Sequence, residues 1–198
     1  MKIELKVNTL KAAALSAGTK DIRYYINGVC IDIKNATQMV VIGTNGNYCF
    51  IGVENYEGDY IEPQQIIIPS EAIASALKGY DKKLNFITLE KLTDKKYSLG
   101  NVMFEPIDGK YPDYARIIPN KENVKAEIGY YNHEYLQVGS KALKAACGEE
   151  YPTLNQHGES DAAVMTCKMD NYIFIVMPMR ARDRKDQLDS YKGIELPV

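Results

Sequence analysis

The sequence predicts an α+β protein built from three successive β-α-β-β-β units. Runs that alternate apolar and polar residues indicate strands, and three stretches with apolar residues at helical spacing indicate helices. The order strand, helix and three strands returns at intervals of roughly sixty residues. Such a repeat is typical of quasi-symmetric assemblies and favours a scaffold or a ring over a single cleft.

The first unit begins with an alternating segment at residues 2–7, which predicts a strand. Asn8 or Thr9 is expected to cap a helix that runs to Gly18. Asn45-Gly46 lies in a glycine-rich stretch without the lysine of a phosphate-binding loop, so it predicts a hairpin turn. Three strands are expected around it, at residues 22–33, 37–43 and 48–54.

The second and third units repeat this order. Pro69 is expected near the start of the second helix, where a missing amide costs nothing. Asn132 is expected to cap the third helix and Gly148 to end it. The second unit is predicted to have strands at 64–69, 84–91, 95–101 and 102–107, and the third at 125–131, 151–156, 162–168 and 171–177.

Every predicted helix carries lysines in or next to it, although the net charge of the 198-residue chain is −2. One interpretation is a set of solvated helical faces. The other is a local basic surface that contacts DNA phosphates without reading sequence, because the lysines of three helices could align toward one side. The candidate DNA-binding residues are Lys11, Lys20, Lys78, Lys82, Lys83, Lys141 and Lys144.

No motif of catalysis or of metal and cofactor binding is recognisable. The two histidines, His133 and His157, have no metal-ligand spacing and no nucleophile elbow accompanies them. The four cysteines are widely separated, which predicts buried thiols without disulfides. The first ten residues alternate charged and apolar side chains and do not resemble a signal peptide. We therefore expect a cytoplasmic protein that is not an enzyme, holds no cofactor and has no membrane span.

Four segments, in the same order along the chain, resemble the bacterial DNA polymerase III beta subunit, the beta sliding clamp family. The resemblance implies a DNA clamp fold, with antiparallel sheets outside and helices lining a channel. The matching segments are Arg23–Gly28, Thr44–Gly46, Asp108–Pro119 and Tyr172–Arg180.

The matched segments cover only part of a clamp of this family. Residues 1–122 resemble a complete clamp domain of two units, and residues 123–180 resemble the second half of the next domain. Such a shortened chain would suit a small genome, such as that of a phage. Residues 181–198 form a C-terminal tail in which Gln187–Tyr191 loosely resembles the peptide that partners insert into clamps. The tail is either a solvated polar segment or a self-docking one.

The resemblance implies a sliding clamp that encircles double-stranded DNA and recruits polymerase and clamp loader through a peptide pocket. Asn47 and Tyr48 stand where the family commonly has His-Arg, so peptide preference can differ. The alternative is a non-encircling interaction protein that captures or competes for replication factors. The pocket is expected to include Ile26, Thr44, Gly46, Cys49, Pro119, Ile175, Val176, Met177, Pro178 and Met179.

The number of units predicts the number of subunits. The family closes its ring with twelve units from two chains, as the resemblance implies, whereas this chain supplies three. Four copies would therefore form a ring of the same size, which predicts a homotetramer. Neighbouring subunits could follow head-to-tail or be alternately flipped.

Overall fold

The computed structural model describes residues 1–56, 62–80, 84–119, 129–148 and 150–179. Within these ranges the chain forms three α-helices, namely α1 (Val7–Ser16), α2 (Ser70–Lys78) and α3 (His133–Cys147). The strands are β1 (Lys2–Lys6), β2 (Gly28–Ile33), β3 (Gln38–Thr44), β4 (Tyr48–Asn55), β5 (Gln64–Pro69), β6 (Phe86–Lys91), β7 (Tyr97–Leu99), β8 (Val102–Phe104), β9 (Thr153–Asn155), β10 (Ala163–Thr166) and β11 (Tyr172–Val176).

The first two units exchange their first strands. β1 of the first unit pairs with β6 of the second, and β5 of the second pairs with β2 of the first. One sheet therefore has the order β1-β6-β7-β8, and the other begins β5-β2-β3-β4. Each of these two units therefore contributes a strand to the sheet of the other.

The third unit extends the larger sheet through the pair β4 and β11. These strands are antiparallel, with Tyr172 opposite Gly52 and Val176 opposite Tyr48. The full order is β5-β2-β3-β4-β11-β10-β9. Helices α1 and α3 pack against each other across the strand pair. The third unit is thus joined to the first by a continuous sheet and by helix packing, and we call this region the junction.

The larger sheet has an inner face covered by helices and an outer face covered by the connector 105–119. Phe50 and Phe174 are fully buried on the inner face in the main core. Cys49 and Ile175, their neighbours along the same strands, lie in a second cluster with Tyr111 of the connector. The alternation of side chains along β4 and β11 thus supplies both cores.

The α+β class with antiparallel sheets is confirmed, and several local predictions hold as well. Gly46 has a φ of +88° in the hairpin between β3 and β4. The Asn132 side chain accepts a hydrogen bond from the Glu134 amide at the start of α3. Gly148 ends that helix with a φ of +75°.

The structure corrects two expectations in the first unit. Helix α1 begins at Val7, ahead of the proposed cap, and ends at Ser16. Tyr24–Ile26 forms a 3-10 turn, so the predicted strand 22–33 begins only at Gly28. The cause is local, because the Asn27 side chain exchanges two hydrogen bonds with the backbone of Asp21 and draws the chain out of an extended path. Most of the strand predicted at 125–131, and the tail 181–198, lie outside the described residues.

Candidate functional site: a groove at the junction

The connector 105–119 is bound to the outer face of the larger sheet along its length. The Ile107 amide donates to the carbonyl of Ile67 at 3.0 Å. The Tyr114 hydroxyl donates to the Asp32 carboxylate at 2.9 Å. A 3-10 turn at Tyr114–Ile117 then carries the apolar segment that follows across to the third unit.

A groove of about 320 Å³ lies where this apolar segment meets the third unit. A small pit adjoins it over the β3–β4 hairpin, and the two share Ile117 and Met177. We call them together the junction groove. It is lined by Thr44, Gly46, Tyr48, Cys49, Arg116, Ile117, Ile118, Pro119, His157, Ser160, Asp161, Ala162, Ile175 and Met177.

The hairpin that forms one wall of the groove is held by side chains. Asn45 Oδ1 accepts hydrogen bonds from the amides of Asn47 and Tyr48. Arg23 donates to the Asn45 carbonyl at 3.1 Å and forms an ion pair with Asp21 at 2.8 Å. The Arg23 guanidinium lowers the pKa of Asp21 to about 2, so this pair is charged throughout the physiological pH range. The wall is therefore set before any ligand arrives.

The chemistry of the groove suits binding rather than catalysis. Burial raises the pKa of the Cys49 thiol to about 12, so the thiol is protonated and acts as an apolar surface at neutral pH. His157 is 5% exposed, and its Nδ1 has no hydrogen-bond partner among the described residues. The groove thus combines apolar side chains with the polar side chains of Arg116, Ser160 and Asp161, which fits an apolar segment of peptide that also offers hydrogen-bonding groups.

The groove contains six of the ten residues proposed for the pocket: Thr44, Gly46, Cys49, Pro119, Ile175 and Met177. Val176 packs in the inner core instead, because alternation along β11 turns it away from Ile175. Ile26 is buried beneath the surface. Pro178 is half-buried, and Met179, 47% exposed, donates its amide to the carbonyl of Tyr130.

Sequence reasoning missed several groove residues. Ile117 and Ile118 directly precede Pro119 in the segment Asp108–Pro119, which carries part of the family resemblance, so their position was available as a signal. His157, Ser160 and Asp161 come from the loop between β9 and β10, whose polar sequence has no periodicity to mark it. Only the tertiary structure places that loop against the connector.

The candidate DNA-binding lysines lie on or beside the three helices. Lys11, Lys78, Lys141 and Lys144 are exposed on the helices, and Lys20 is exposed just after α1. Lys144 forms an ion pair with Glu150 at 2.7 Å, which lowers the pKa of that carboxyl and offsets part of the lysine charge. Lys82 and Lys83 lie outside the described residues. The DNA-binding role of all these lysines stays a prediction.

The inner side of the junction is fastened by a buried carboxylate. Glu54 of β4, 2% exposed, accepts hydrogen bonds from the hydroxyls of Thr9 and Tyr172 at 2.6 and 2.5 Å. Lys6 forms an ion pair with the same carboxylate at 2.6 Å, and this contact raises the pKa of Lys6. One side chain thus joins β1, α1, β4 and β11 on the inner side of the junction, near the end of the β4–β11 pair opposite the groove.

Two features are not found in the described part of the chain. No cluster of histidine, cysteine, aspartate and glutamate there could hold a metal ion. None of the described helices is both long and apolar enough to cross a membrane.

The fold is similar to that of bacterial sliding clamps, and part of the sequence is similar to theirs. No protein-family model matches the chain. The chain is 23% identical over 123 residues to the beta sliding clamp of Vibrio cholerae, covering 61% of this chain and 33% of that protein. The DNA polymerase sliding clamp of Pseudomonas aeruginosa matches 91% of this chain and 67% of its own, with a TM-score of 0.72 at 14% identity. The DNA polymerase sliding clamp of Bacillus subtilis matches 92% of this chain and 65% of its own, with a TM-score of 0.74 at 12% identity.

These likenesses confirm the resemblance seen in the sequence motifs. The superpositions, at 12–14% sequence identity, establish the fold, which is that of a DNA sliding clamp. The chain spans about a third of the length of the curated relatives that it matches.

Proposed function

We propose that this chain is a subunit of a sliding clamp that encircles duplex DNA and recruits a DNA polymerase through the junction groove. The observation that carries the proposal is the groove itself, because it lies where two clamp-like halves share a sheet and offers the apolar side chains of Ile117, Ile175 and Met177. A ring of four chains would contain twelve units, the number with which the resembled family closes its ring. A clamp loader would use the same groove.

The first expected property is binding of a short peptide that contains leucine and an aromatic residue, of the form Gln-Leu-Asp/Ser-Leu-Phe. Burial of its apolar side chains against Ile117 and Met177 would give micromolar affinity. Met177→Ala is expected to weaken binding about tenfold, which corresponds to about 1.4 kcal/mol of lost contact. Fluorescence anisotropy with a labelled peptide measures this change.

The matched control for that variant is Met169→Ala. Met169 is 44% exposed and precedes β11 at the end opposite the groove. Its truncation should leave the dissociation constant unchanged. Equal affinities for the wild type and Met177→Ala, with both proteins folded by circular dichroism, would show that the groove is not the peptide site.

Encirclement of DNA is tested by topology. The protein is incubated at low concentration with nicked circular plasmid so that subunits can exchange and close around it, and the complex is purified by gel filtration. Half of the sample is then linearised with a restriction enzyme. Loss of the protein from the linear plasmid alone marks a ring, whereas equal weak retention on both supports a non-encircling protein that acts only through its groove.

The exposed lysines of the three helices are expected to contact DNA phosphates loosely. The double variant Lys11→Glu/Lys141→Glu should lower retention on circular plasmid and make the remainder less dependent on salt, since each lost phosphate contact reduces counterion release. Peptide binding should be unaffected.

The control for charge is the double variant Lys95→Glu/Lys168→Glu. Both lysines are exposed and lie outside the helices, so net charge changes equally. If the two double variants lose retention to the same extent, net charge rather than the helices controls DNA contact. A base preference that survives high salt would also contradict a phosphate-only contact.

A further inference from the structure

We call the last strand of each unit its closing strand. In two of the three units the closing strand pairs with the closing strand of another unit. The closing strands of the first and third units, β4 and β11, pair with each other at the junction. The closing strand of the second unit, β8, pairs with β7 on one side. Its other edge has no strand partner within the described ranges. The repeat therefore leaves one closing strand unmatched.

The middle of β8 exposes an apolar side chain, because Met103 is 73% exposed. A groove of about 390 Å³ lies between the end of α2, the start of β6 and the β7–β8 turn, with Val102 of β8 in its wall. Leu84 and Phe86, at the start of β6, are 55% and 46% exposed and line the same groove. An unpaired edge with exposed apolar side chains favours pairing with another strand.

The opposite edge of the same sheet has a different character. There β1 exposes Lys2 and Glu4, and charges of this kind protect an edge strand from pairing. The β8 edge carries no charge between Val102 and Phe104. The contrast within one sheet indicates that the β8 edge is covered in the assembled protein.

We propose, on the premise of the clamp function above, that β8 pairs antiparallel with β8 of a second copy of this chain. β4 and β11 already pair with each other, so neither is available to β8. The closing strand that is left to pair with β8 is therefore β8 of a second copy of the chain. Two identical antiparallel strands make the same contact from both sides around a two-fold axis. The junction shows that two closing strands of this chain pair in this direction.

The charges of α2 suit the same contact. α2 packs on β8 and β7, and it has Glu71 in its first turn and Lys78 in its last, both exposed. A two-fold axis through the β8 pair sets the two α2 helices antiparallel, as neighbours in the way that α1 and α3 are. Glu71 then faces Lys78 of the partner subunit, and the reverse pair forms on the other side. The surface is thus self-complementary in charge.

This contact determines the arrangement of the ring. Because an isologous contact relates two subunits by a two-fold axis, successive subunits are alternately flipped, and head-to-tail order is excluded. Each ring of four chains then contains two β8 contacts, with the remaining two contacts at the third unit.

Cross-linking tests the β8 pair directly. Asn101→Cys, Met103→Cys and Glu105→Cys place single new thiols at exposed positions along the edge, and a short bismaleimide joins those that face each other across the axis. At least one variant is expected to give a covalent dimer in high yield. The wild type, with its own four cysteines, sets the background, and Glu4→Cys on β1 is the matched edge control. No dimer above background from folded variants overturns the proposal.

Met103→Arg provides the second measurement, because it places two like charges against each other at the axis. Light scattering should show the mass fall from four chains of 22.3 kDa to two, with loss of retention on circular plasmid and unchanged peptide binding. If the wild type and Met103→Arg both form four-chain rings that hold circular plasmid, the β8 contact is refuted and the clamp function stands. If the wild type is a monomer that retains both plasmid forms equally, both are refuted.

Discussion

Gly43→Ala is expected to destabilise the protein severely, although alanine is ordinarily the better residue in a strand interior. A Cβ at this position of β3 would lie 1.9 Å from the Ala13 carbonyl oxygen of α1. Since a carbon–oxygen contact needs about 3.3 Å, α1 would have to move away from the sheet by more than 1 Å. A backbone atom cannot rotate aside as a side chain can.

The expected cost is about 3 kcal/mol or more, at the upper end of what overpacking causes. For a chain of this length that lowers the melting temperature by about 6–12 °C. The function would be affected too, because α1 packs against α3 across the junction. Thermal unfolding, followed by circular dichroism, measures the change in melting temperature.

Gly79→Ala is the matched control for Gly43→Ala. No atom lies within 4 Å of a Cβ at Gly79, and its backbone conformation is open to alanine. Its stability should remain within about 0.5 kcal/mol of the wild type. Equal melting temperatures for Gly43→Ala and Gly79→Ala would mean that α1 does not approach β3 as closely as described.

Glu54→Ala is expected to have the second large effect, because it removes the acceptor shared by Thr9, Tyr172 and Lys6. The two hydroxyls would be left buried without this partner, at about 1–3 kcal/mol for such a group. The ion pair adds less, since Lys6 is 41% exposed and its charge is screened by solvent. We expect a total loss of about 3 kcal/mol in the free energy of unfolding.

Chemical denaturation measures that loss, and two variants define its origin. Tyr172→Phe should cost about 1 kcal/mol, because it removes the hydrogen bond to Glu54 and the 3.2 Å contact with the Thr9 hydroxyl and keeps the aromatic contact with Phe50. Glu4→Ala, an exposed carboxylate on β1, should be close to neutral. The junction groove is built on the same pair of strands, toward their other end, so a loss of strand pairing in Glu54→Ala should also weaken peptide binding. A neutral Glu54→Ala would show that strand pairing alone holds the junction.

Local sequence was sufficient for several features that depend on residues close together in the chain. Asn45-Gly46 specifies its hairpin because glycine tolerates the φ of +88° and the Asn45 side chain bonds the following amides. Asn132 and Gly148 specify the ends of α3 through a side-chain cap and a left-handed residue. The β-branched and aromatic residues of β4 likewise predict a strand.

The tertiary structure decided what depends on residues far apart. Sequence pattern cannot tell that β1 pairs with β6 rather than with β2, because alternation specifies a strand and not its partner. Ile175 and Val176 have similar side chains, yet the pairing of β11 with β4 turns one to the groove and the other to the inner core. His157 enters the groove only because the sheet brings its loop beside the connector. The sequence by itself determined the units and their turns, and long-range strand pairing determined the site, since backbone hydrogen bonds between strands are the same for every side chain.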